Sequence, residues 1–233
     1  MCGITGFVGA REQMRDILQD MMDRIAHRGP DGQGQFIEGP AALGQRRLSI
    51  IDLEGGRQPM FNEDENLVVV FNGEIYNFQE LTAELKAAGH TFATRADTEV
   101  LLHGYEQWGR GLLDRLRGMF AFALWDRKAE TLFCARDHFG IKPLYYCQTE
   151  DGSLLFGSEI KSFLAHPAFK KELNRDQLEL YLSYQYSPGE NTFFKGVKKL
   201  PPAHWMEFKD GKLTIRRYWQ PRFEPDDSLT PEE

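Results

Sequence analysis

A cysteine stands directly behind the initiator methionine, at position 2 of the chain. Initiator methionine is normally removed when the next residue is small, so we expect Cys2 to become the first residue. Its thiol would then share a residue with a free α-amine, whose pKa of about 7.7 to 8.0 suits a general base near neutrality. One residue could therefore supply both nucleophile and base. A cysteine at this position is, by itself, also common for no functional reason.

Other polar residues lie beside predicted strands and helices. Arg46 and Arg47 are neighbours in a predicted strand, so only one of the two side chains can point into a site. Asn72-Gly73 ends an apolar run and is also a strong turn dipeptide. Asp97 precedes a predicted helix, where an aspartate commonly caps the N-terminus. Each position therefore has a structural interpretation beside a functional one.

The spacing of apolar residues predicts a mixed architecture. Helices are predicted at about residues 12–26, 77–89, 98–108 and 175–184. Strands are predicted at about residues 2–8, 34–37, 41–50, 67–72, 119–126, 131–135, 144–147 and 154–157, with a hairpin across 209–211. In the helix at 77–89, Asn77 is predicted to cap the start with Glu80, and Gly89 to end it in a left-handed conformation. This order is typical of a layered α+β protein with mainly antiparallel sheets.

Composition excludes several classes of protein. The chain has 233 residues, 41% of them hydrophobic, and a net charge of −7 with no basic block, which argues against a nucleic-acid partner. No signal peptide or run of 18 apolar residues is present in the sequence, which argues against a membrane partner and favours the cytoplasm. We expect one large domain, or one domain with a tail.

The cysteines and histidines do not form a metal-binding motif. Three cysteines in a chain of this length suit a reducing compartment, and Cys134 and Cys147 are predicted to be inert core thiols. The six histidines are dispersed, and each is interpreted as structural rather than as a metal ligand.

Eight segments, in this order, resemble the class II, or N-terminal-nucleophile, glutamine amidotransferases, and among these the asparagine synthetases. They are Met1-Cys2-Gly3-Ile4, His27-Arg28-Gly29-Pro30-Asp31, Arg47-Leu48-Ser49-Ile50-Ile51-Asp52, Asn72-Gly73-Glu74-Ile75-Tyr76-Asn77, Asp97-Thr98-Glu99-Val100, Gly118-Met119-Phe120-Ala121-Phe122-Ala123, Arg136-Asp137-His138-Phe139-Gly140-Ile141-Lys142-Pro143-Leu144-Tyr145-Tyr146 and Ser158-Glu159-Ile160-Lys161. The resemblance implies a four-layer αββα sandwich, with two mainly antiparallel sheets between helices. It also implies hydrolysis of L-glutamine to L-glutamate and ammonia through a thioester on Cys2, with no metal or cofactor in this chain.

The resemblance assigns roles to individual residues. Cys2 is the nucleophile, and the Asn72 side chain and Gly73 backbone N–H stabilise the oxyanion. Arg47 pairs with the glutamine α-carboxylate, and Asp97 with Glu74 receives the α-ammonium. Backbone contacts to glutamine are expected from the segment Leu48, Ser49, Ile50 and Ile51.

The end of the sequence predicts a continuing polypeptide. Thr230-Pro231-Glu232-Glu233 begins like a capped helix that is missing, although a frayed polar terminus is the alternative. We expect residues 1–220 to form the amidotransferase domain and residues 221–233 to begin a linker. The resemblance implies that a C-terminal synthetase domain follows and that only this domain uses ATP and magnesium, through a phosphate loop that this chain lacks.

The expected partners are L-glutamine and that synthetase domain, and the resemblance leaves room for a homodimer. One alternative is a glutaminase domain that delivers ammonia to an acceptor other than aspartate. The other is a non-catalytic module, which the replacement of Cys2, Asn72 or Arg47 would favour. None of these residues is replaced.

Overall fold

The computed structural model describes residues 1–49 and 55–224. Its strands are β1 (Gly3–Val8), β2 (Gly32–Glu38), β3 (Ala41–Arg47), β4 (Met60–Phe61), β5 (Leu67–Ile75), β6 (Gly118–Asp126), β7 (Thr131–Arg136), β8 (Tyr145–Gln148), β9 (Leu154–Gly157), β10 (Val197–Lys199), β11 (His204–Lys209) and β12 (Lys212–Arg217). Its α-helices are α1 (Met14–Asp23), α2 (Phe78–Ala87), α3 (Glu99–Trp108) and α4 (Asp176–Tyr184). Short 3₁₀-helices occupy Ala26–Arg28, Gly109–Asp114 and Ile160–Ala165.

The strands form two six-stranded sheets. The first has the order β10-β8-β9-β1-β3-β2, and the second has the order β12-β11-β7-β6-β5-β4. Neighbouring strands are antiparallel in both sheets. In the second sheet, β5 and β6 pair over their full nine residues, from Leu67 with Asp126 to Ile75 with Gly118.

Three apolar clusters define four layers. Between the sheets, Val70 of β5 and Phe156 of β9 belong to one buried cluster. On the outer face of the first sheet, α1 buries Leu18. On the outer face of the second sheet, α2 and α3 bury Leu85 and Val100. Each such side chain contributes roughly 1.5 to 3 kcal/mol by leaving water. The predicted αββα sandwich is therefore confirmed.

The predicted cap of α2 is wrong in its chemistry although right in its position. Asn77 is the N-cap residue, but its side chain makes no capping hydrogen bond. Instead, its Oδ1 accepts the Arg117 N–H at 2.9 Å and its Nδ2 donates to the Arg115 carbonyl at 3.0 Å. The side chain thus holds the segment that leads into β6. Gly89, which follows the helix, has the predicted positive φ, 104°.

Two further boundaries differ from the predictions. The strand predicted at 41–50 ends at Arg47, and Ile50 lies outside the described residues. Asn72-Gly73 lies inside β5, so the turn interpretation is wrong, because pairing with β6 keeps the backbone extended as far as Ile75. The short edge strands β4 and β10 were not predicted, since two or three residues show no periodicity.

Other predictions agree with the structure. Asp210 and Gly211 form the predicted hairpin turn, both with positive φ, 50° and 73°, as a type I′ turn requires. Across residues 1–49 and 55–224, no helix combines the length and apolar character that crossing a bilayer requires.

Candidate active site

Cys2 lies at the end of a buried strand and is held on two sides. Its Sγ is 3.4 Å from the Leu48 nitrogen and 3.5 Å from the Leu48 carbonyl oxygen. Its own carbonyl accepts the Arg28 Nε–H at 2.9 Å, and Arg28 Nη1 contacts Glu159 at 3.0 Å. Because β1 begins at Gly3, the sheet fixes where residue 2 can lie. The thiol therefore has a defined position.

The thiol faces a cavity of about 200 Å³ at the edge of the two sheets. The cavity is lined by Met1, Cys2, Arg47, Leu48, Gly56, Gln58, Phe71, Asn72, Gly73, Glu74, Ala96, Asp97, Thr98, Met119 and Lys142. It brings together all the predicted site residues except three. Ser49 is described but does not line it, and Ile50 and Ile51 lie outside the described residues.

Asn72 presents an unused hydrogen-bond donor in this cavity. The residue is buried, and no described group accepts a hydrogen bond from its Nδ2. Leaving a buried donor unpaired costs about 1 to 3 kcal/mol, so such a group is well placed for a ligand. Beside it, a Cβ on Gly73 would lie 2.2 Å from the Met119 carbonyl oxygen. Only glycine allows this close pairing of β5 with β6.

The two neighbouring arginines face opposite ways, as predicted from their strand. Arg46 Nε donates to the Met22 carbonyl at 3.1 Å, and its Nη2 contacts Asp23, both at the end of α1. Arg47 is buried and lines the cavity. Strand alternation therefore places only the second guanidinium in the site.

Two carboxylates share the cavity, and burial disfavours the charge of both. Burial, together with the nearby charge of Glu74, raises the pKa of Asp97 to about 6. Burial also raises the pKa of Glu74, against the opposing effect of Lys142. The Asp97 carboxylate accepts the Ile75 N–H at 2.9 Å. The capping interpretation of Asp97 is wrong, because Thr98 is the N-cap residue of α3.

Comparison with known proteins identifies the family. The model of a family described as "Glutamine amidotransferase domain" matches residues 1–219. The chain belongs to this family. The architecture agrees: the glutamine phosphoribosylpyrophosphate amidotransferase of Bacillus subtilis, solved with ADP and GMP, superposes with a TM-score of 0.70. That match has 20% identity and covers 94% of this chain and 50% of the other, so it bears on the fold alone.

Curated relatives of this amidotransferase domain are glutamine-hydrolysing asparagine synthetases. Asparagine synthetase 3 of Bacillus subtilis is 44% identical over 94% of this chain and 36% of its own length. Asparagine synthetase 1 of the same organism is 41% identical, over 97% and 36%. Asparagine synthetase 2 of rice is 37% identical, over 95% and 33%. The chain thus spans about a third of the length of these relatives.

The amidotransferase domain also uses residues that the sequence analysis did not single out. Gln58 Oε1 accepts the Phe71 N–H at 2.6 Å, and its Nε2 donates to Thr98 Oγ1 at 3.2 Å. Gln58 therefore joins β5 to the start of α3 in the wall of the cavity. Lys142 is buried and lines the cavity beside Glu74. The sequence signal for Lys142 is a charged residue between two apolar ones, Ile141 and Pro143.

His27 contacts two side chains that do not line the cavity. Its Nε2 is 2.8 Å from Glu159 Oε1, and its Nδ1 is 3.3 Å from Lys161 Nζ. Among the described residues that line the cavity, there is no histidine. The structure therefore gives no support to a histidine as the general base for Cys2.

Proposed function

We propose that the domain hydrolyses L-glutamine to L-glutamate and ammonia through a γ-glutamyl thioester on Cys2. One observation carries the proposal: a single small cavity is bounded by a thiol, an unpartnered amide donor, an arginine, a buried carboxylate and a half-buried one. Free glutamine has a matching group for each of them. It has an amide carbon for the thiol, a developing oxyanion for the donor, a carboxylate for the arginine and an ammonium for the acids.

Recognition of the substrate rests on charge pairing at its α-carbon. Arg47 offers a planar fork of donors that fits a carboxylate in a bidentate manner. Asp97 and Glu74 lie together where burial partly removes them from water, and this disfavours their negative charges. An ammonium bound between them would stabilise the ionised forms. A neutral amide or an anion would not, so the site selects the zwitterion of an amino acid.

The reaction would proceed in two steps, formation of the thioester and its hydrolysis. The Cys2 thiolate attacks the side-chain amide carbon, and Asn72 Nδ2 and the Gly73 N–H stabilise the oxyanion. Losing one such donor typically costs about 2.7 to 4 kcal/mol of transition-state stabilisation. The C–N bond then breaks, and ammonia leaves after accepting a proton. Water hydrolyses the thioester, which releases glutamate and returns the thiol.

The base in this proposal is the α-amine of Cys2, exposed when Met1 is removed. No described histidine lines the cavity, so the amine is the available group of suitable pKa. Met1 itself lines the cavity. Its removal would therefore provide both the base and the room that glutamine needs.

The proposal extends to the whole protein through its relatives. We take residues 1–220 as the amidotransferase domain and 221–233 as the start of a linker, of which 225–233 lie outside the described residues. A synthetase domain with ATP and magnesium would then use the ammonia to amidate aspartate. The three cysteines are free thiols, which suits the cytoplasmic location we propose.

Helix α4 supports the existence of a covering partner. Its residues are exposed apart from Gln177, although several are large and apolar: Leu182 is 73% exposed, Tyr184 59% and Leu178 49%. An apolar patch of this kind marks an interaction site. We assign it to contact with the synthetase domain, with a second copy of the chain as the alternative.

Ammonia release from glutamine without ATP tests the proposed reaction. Protein whose intact mass shows Cys2 as the first residue should release ammonia and glutamate, and hydroxylamine should divert the thioester to γ-glutamyl hydroxamate. Cys2→Ala should release none, whereas Cys147→Ala, a buried thiol outside the cavity, should stay active. A form that retains Met1 should be inactive. Equal ammonia release by Cys2→Ala and the parent protein would refute the thioester.

A further inference from the structure

A second group of chemically competent side chains lies away from the glutamine cavity. His103 and Glu106 lie one turn apart on α3, and His90 lies between α2 and α3. One ligand atom from each of the three lies within 4.8 Å of the others. None of them lines the glutamine cavity. These histidines are interpreted as structural from sequence, because the six histidines are dispersed along the chain.

The two distances to Glu106 in this group are close to those of a tetrahedral metal site. Glu106 Oε2 is 3.1 Å from His103 Nδ1 and 3.6 Å from His90 Nδ1. Zinc bonds of about 2.0 to 2.2 Å in tetrahedral geometry separate neighbouring ligand atoms by about 3.4 Å. These two distances lie on either side of this value, while the set as a whole is held only within 4.8 Å. A zinc ion would therefore bind with Glu106 almost in place and with the two imidazoles drawn closer together.

Second contacts of the same side chains orient them for a metal. His103 Nε2 lies 3.5 Å from Glu99 Oε1, and His90 Nε2 lies 3.0 Å from Gln107 Oε1. If each Nε2 carries the proton and donates it, the Nδ1 lone pairs are left facing Glu106. Metal-bound histidines typically have such an acceptor behind them. Glu106 is itself oriented, because its Oε1 accepts the Asn62 Nδ2–H at 2.7 Å.

The charge around the imidazoles also favours a cation. Glu63 Oε2 lies 3.7 Å from His103 Nδ1, which makes it a third carboxylate beside Glu99 and Glu106. His103 is 1% exposed, while Glu63 is half exposed and could swing inward. A divalent cation would neutralise much of this negative charge. A protonated His103 is the alternative means of neutralisation, and it would require no metal.

We propose that His90, His103 and Glu106 form a zinc site, with Glu63 or water as the fourth ligand. Imidazole nitrogens suit zinc and disfavour magnesium and calcium, which take oxygen ligands. The site would tie the segment after α2 to α3. Because Asp97 and Thr98 precede α3 and line the glutamine cavity, zinc would steady one wall of that cavity. The role is structural and does not depend on the proposed reaction.

Metal analysis of the 233-residue protein tests the site. After treatment with a chelator and dialysis against zinc, we expect one zinc per chain, and cobalt should give the visible absorption of tetrahedral nitrogen and oxygen ligands. His90→Gln and Glu106→Gln should lose both signals. Gln107→Ala removes only the hydrogen-bond partner of His90 Nε2 and leaves the zinc ligands in place. The affinity of this variant for zinc should therefore fall by roughly 10- to 100-fold. The matched control is His204→Gln, a half-buried histidine outside the group.

Cys2 is a competing zinc ligand and needs its own control. Zinc at the proposed site should be kept by Cys2→Ala, and the cobalt spectrum should lack a thiolate band. Thermal unfolding of the metal-free variants shows whether they fold, and zinc should raise the melting temperature of the parent but not of His90→Gln. The proposal is overturned if no zinc binds at micromolar concentration, if Cys2→Ala loses it, or if a folded His90→Gln binds it as tightly as the parent.

Discussion

Two buried aspartates show how the molecule separates structural from functional charge. Asp137 and Asp97 are 1% and 5% exposed. The Asp137 carboxylate accepts four backbone N–H groups at 2.9 to 3.2 Å, those of Phe120, Phe139, Ile141 and Lys142. It fastens β6 to the loop after β7. Its hydrogen-bonding capacity is therefore used within the protein.

Asp97 is nearly as buried but accepts fewer hydrogen bonds. Its carboxylate lines the cavity, and burial together with the charge of Glu74 raises its pKa to about 6, although backbone hydrogen bonds, among them that from the Ile75 N–H, lower it. Similar burial thus has opposite consequences. A saturated carboxylate stabilises the fold, whereas one with unused capacity costs stability until a cation binds.

The strongest test of this contrast is Asp137→Asn. The new amide nitrogen would face at least two backbone N–H groups that lose their acceptor, at about 1 to 3 kcal/mol each. We expect the free energy of unfolding to fall by about 2 to 6 kcal/mol in urea titrations. Asp20→Asn, on the exposed face of α1, should change it by no more than about 0.5 kcal/mol. If Asp137→Asn lowered the free energy of unfolding by less than about 1 kcal/mol, the structural role of Asp137 would be contradicted.

A second comparison is that of Arg46 with Arg47, since Arg46 contacts the end of α1 and Arg47 lines the cavity. Arg47→Lys should lower kcat/KM for glutamine by about 10- to 150-fold, which corresponds to the loss of a charge-assisted hydrogen bond. Arg46→Lys keeps a cation beside Asp23 and should change kcat/KM by about twofold or less. Steady-state ammonia assays measure both. Equal losses would mean that the strand does not sort the two side chains by function.

Asp97→Asn should move stability and activity in opposite directions. The folded pKa of Asp97 lies above its unfolded value, so the ionised form costs stability that is fully lost above about pH 6 and regained below about 3.8. Asparagine removes this cost and still accepts the Ile75 N–H. The free energy of unfolding at pH 7 should rise on the order of 1 to 3 kcal/mol, while kcat/KM falls at least about tenfold. Reduced stability with normal kinetics would restore the capping interpretation.

The smallest expected effect is the acid limb of the pH profile. Only ionised Asp97 attracts the substrate ammonium, so kcat/KM should fall as the pH drops through about 6. The slope should approach about tenfold per pH unit at most. Asp97→Asn should lack this limb and keep any limb that belongs to the α-amine. A profile identical in the two proteins would assign the limb to another group.

Local sequence determined much of this molecule because periodicity is a local property. Alternation along a strand placed Arg46 and Arg47 on opposite faces, and apolar spacing located the four α-helices found in residues 1–49 and 55–224. The order of the matching segments led to the αββα architecture through the family. Cys2 could be recognised from sequence because removal of the initiator methionine would give the residue at position 2 a free α-amine.

Which residues contact one another was decided only by the tertiary structure, because these contacts join residues that are far apart in sequence. Asn77 was expected to cap its own helix but bonds the chain 38 and 40 residues later. Asn72-Gly73 reads locally as a turn, yet pairing with β6 keeps it in a strand. The burial that shifts the pKa of Asp97, and the meeting of His90 with Glu106, arise when separate elements pack. Periodicity specifies which face of an element is buried, and packing alone specifies what that face meets.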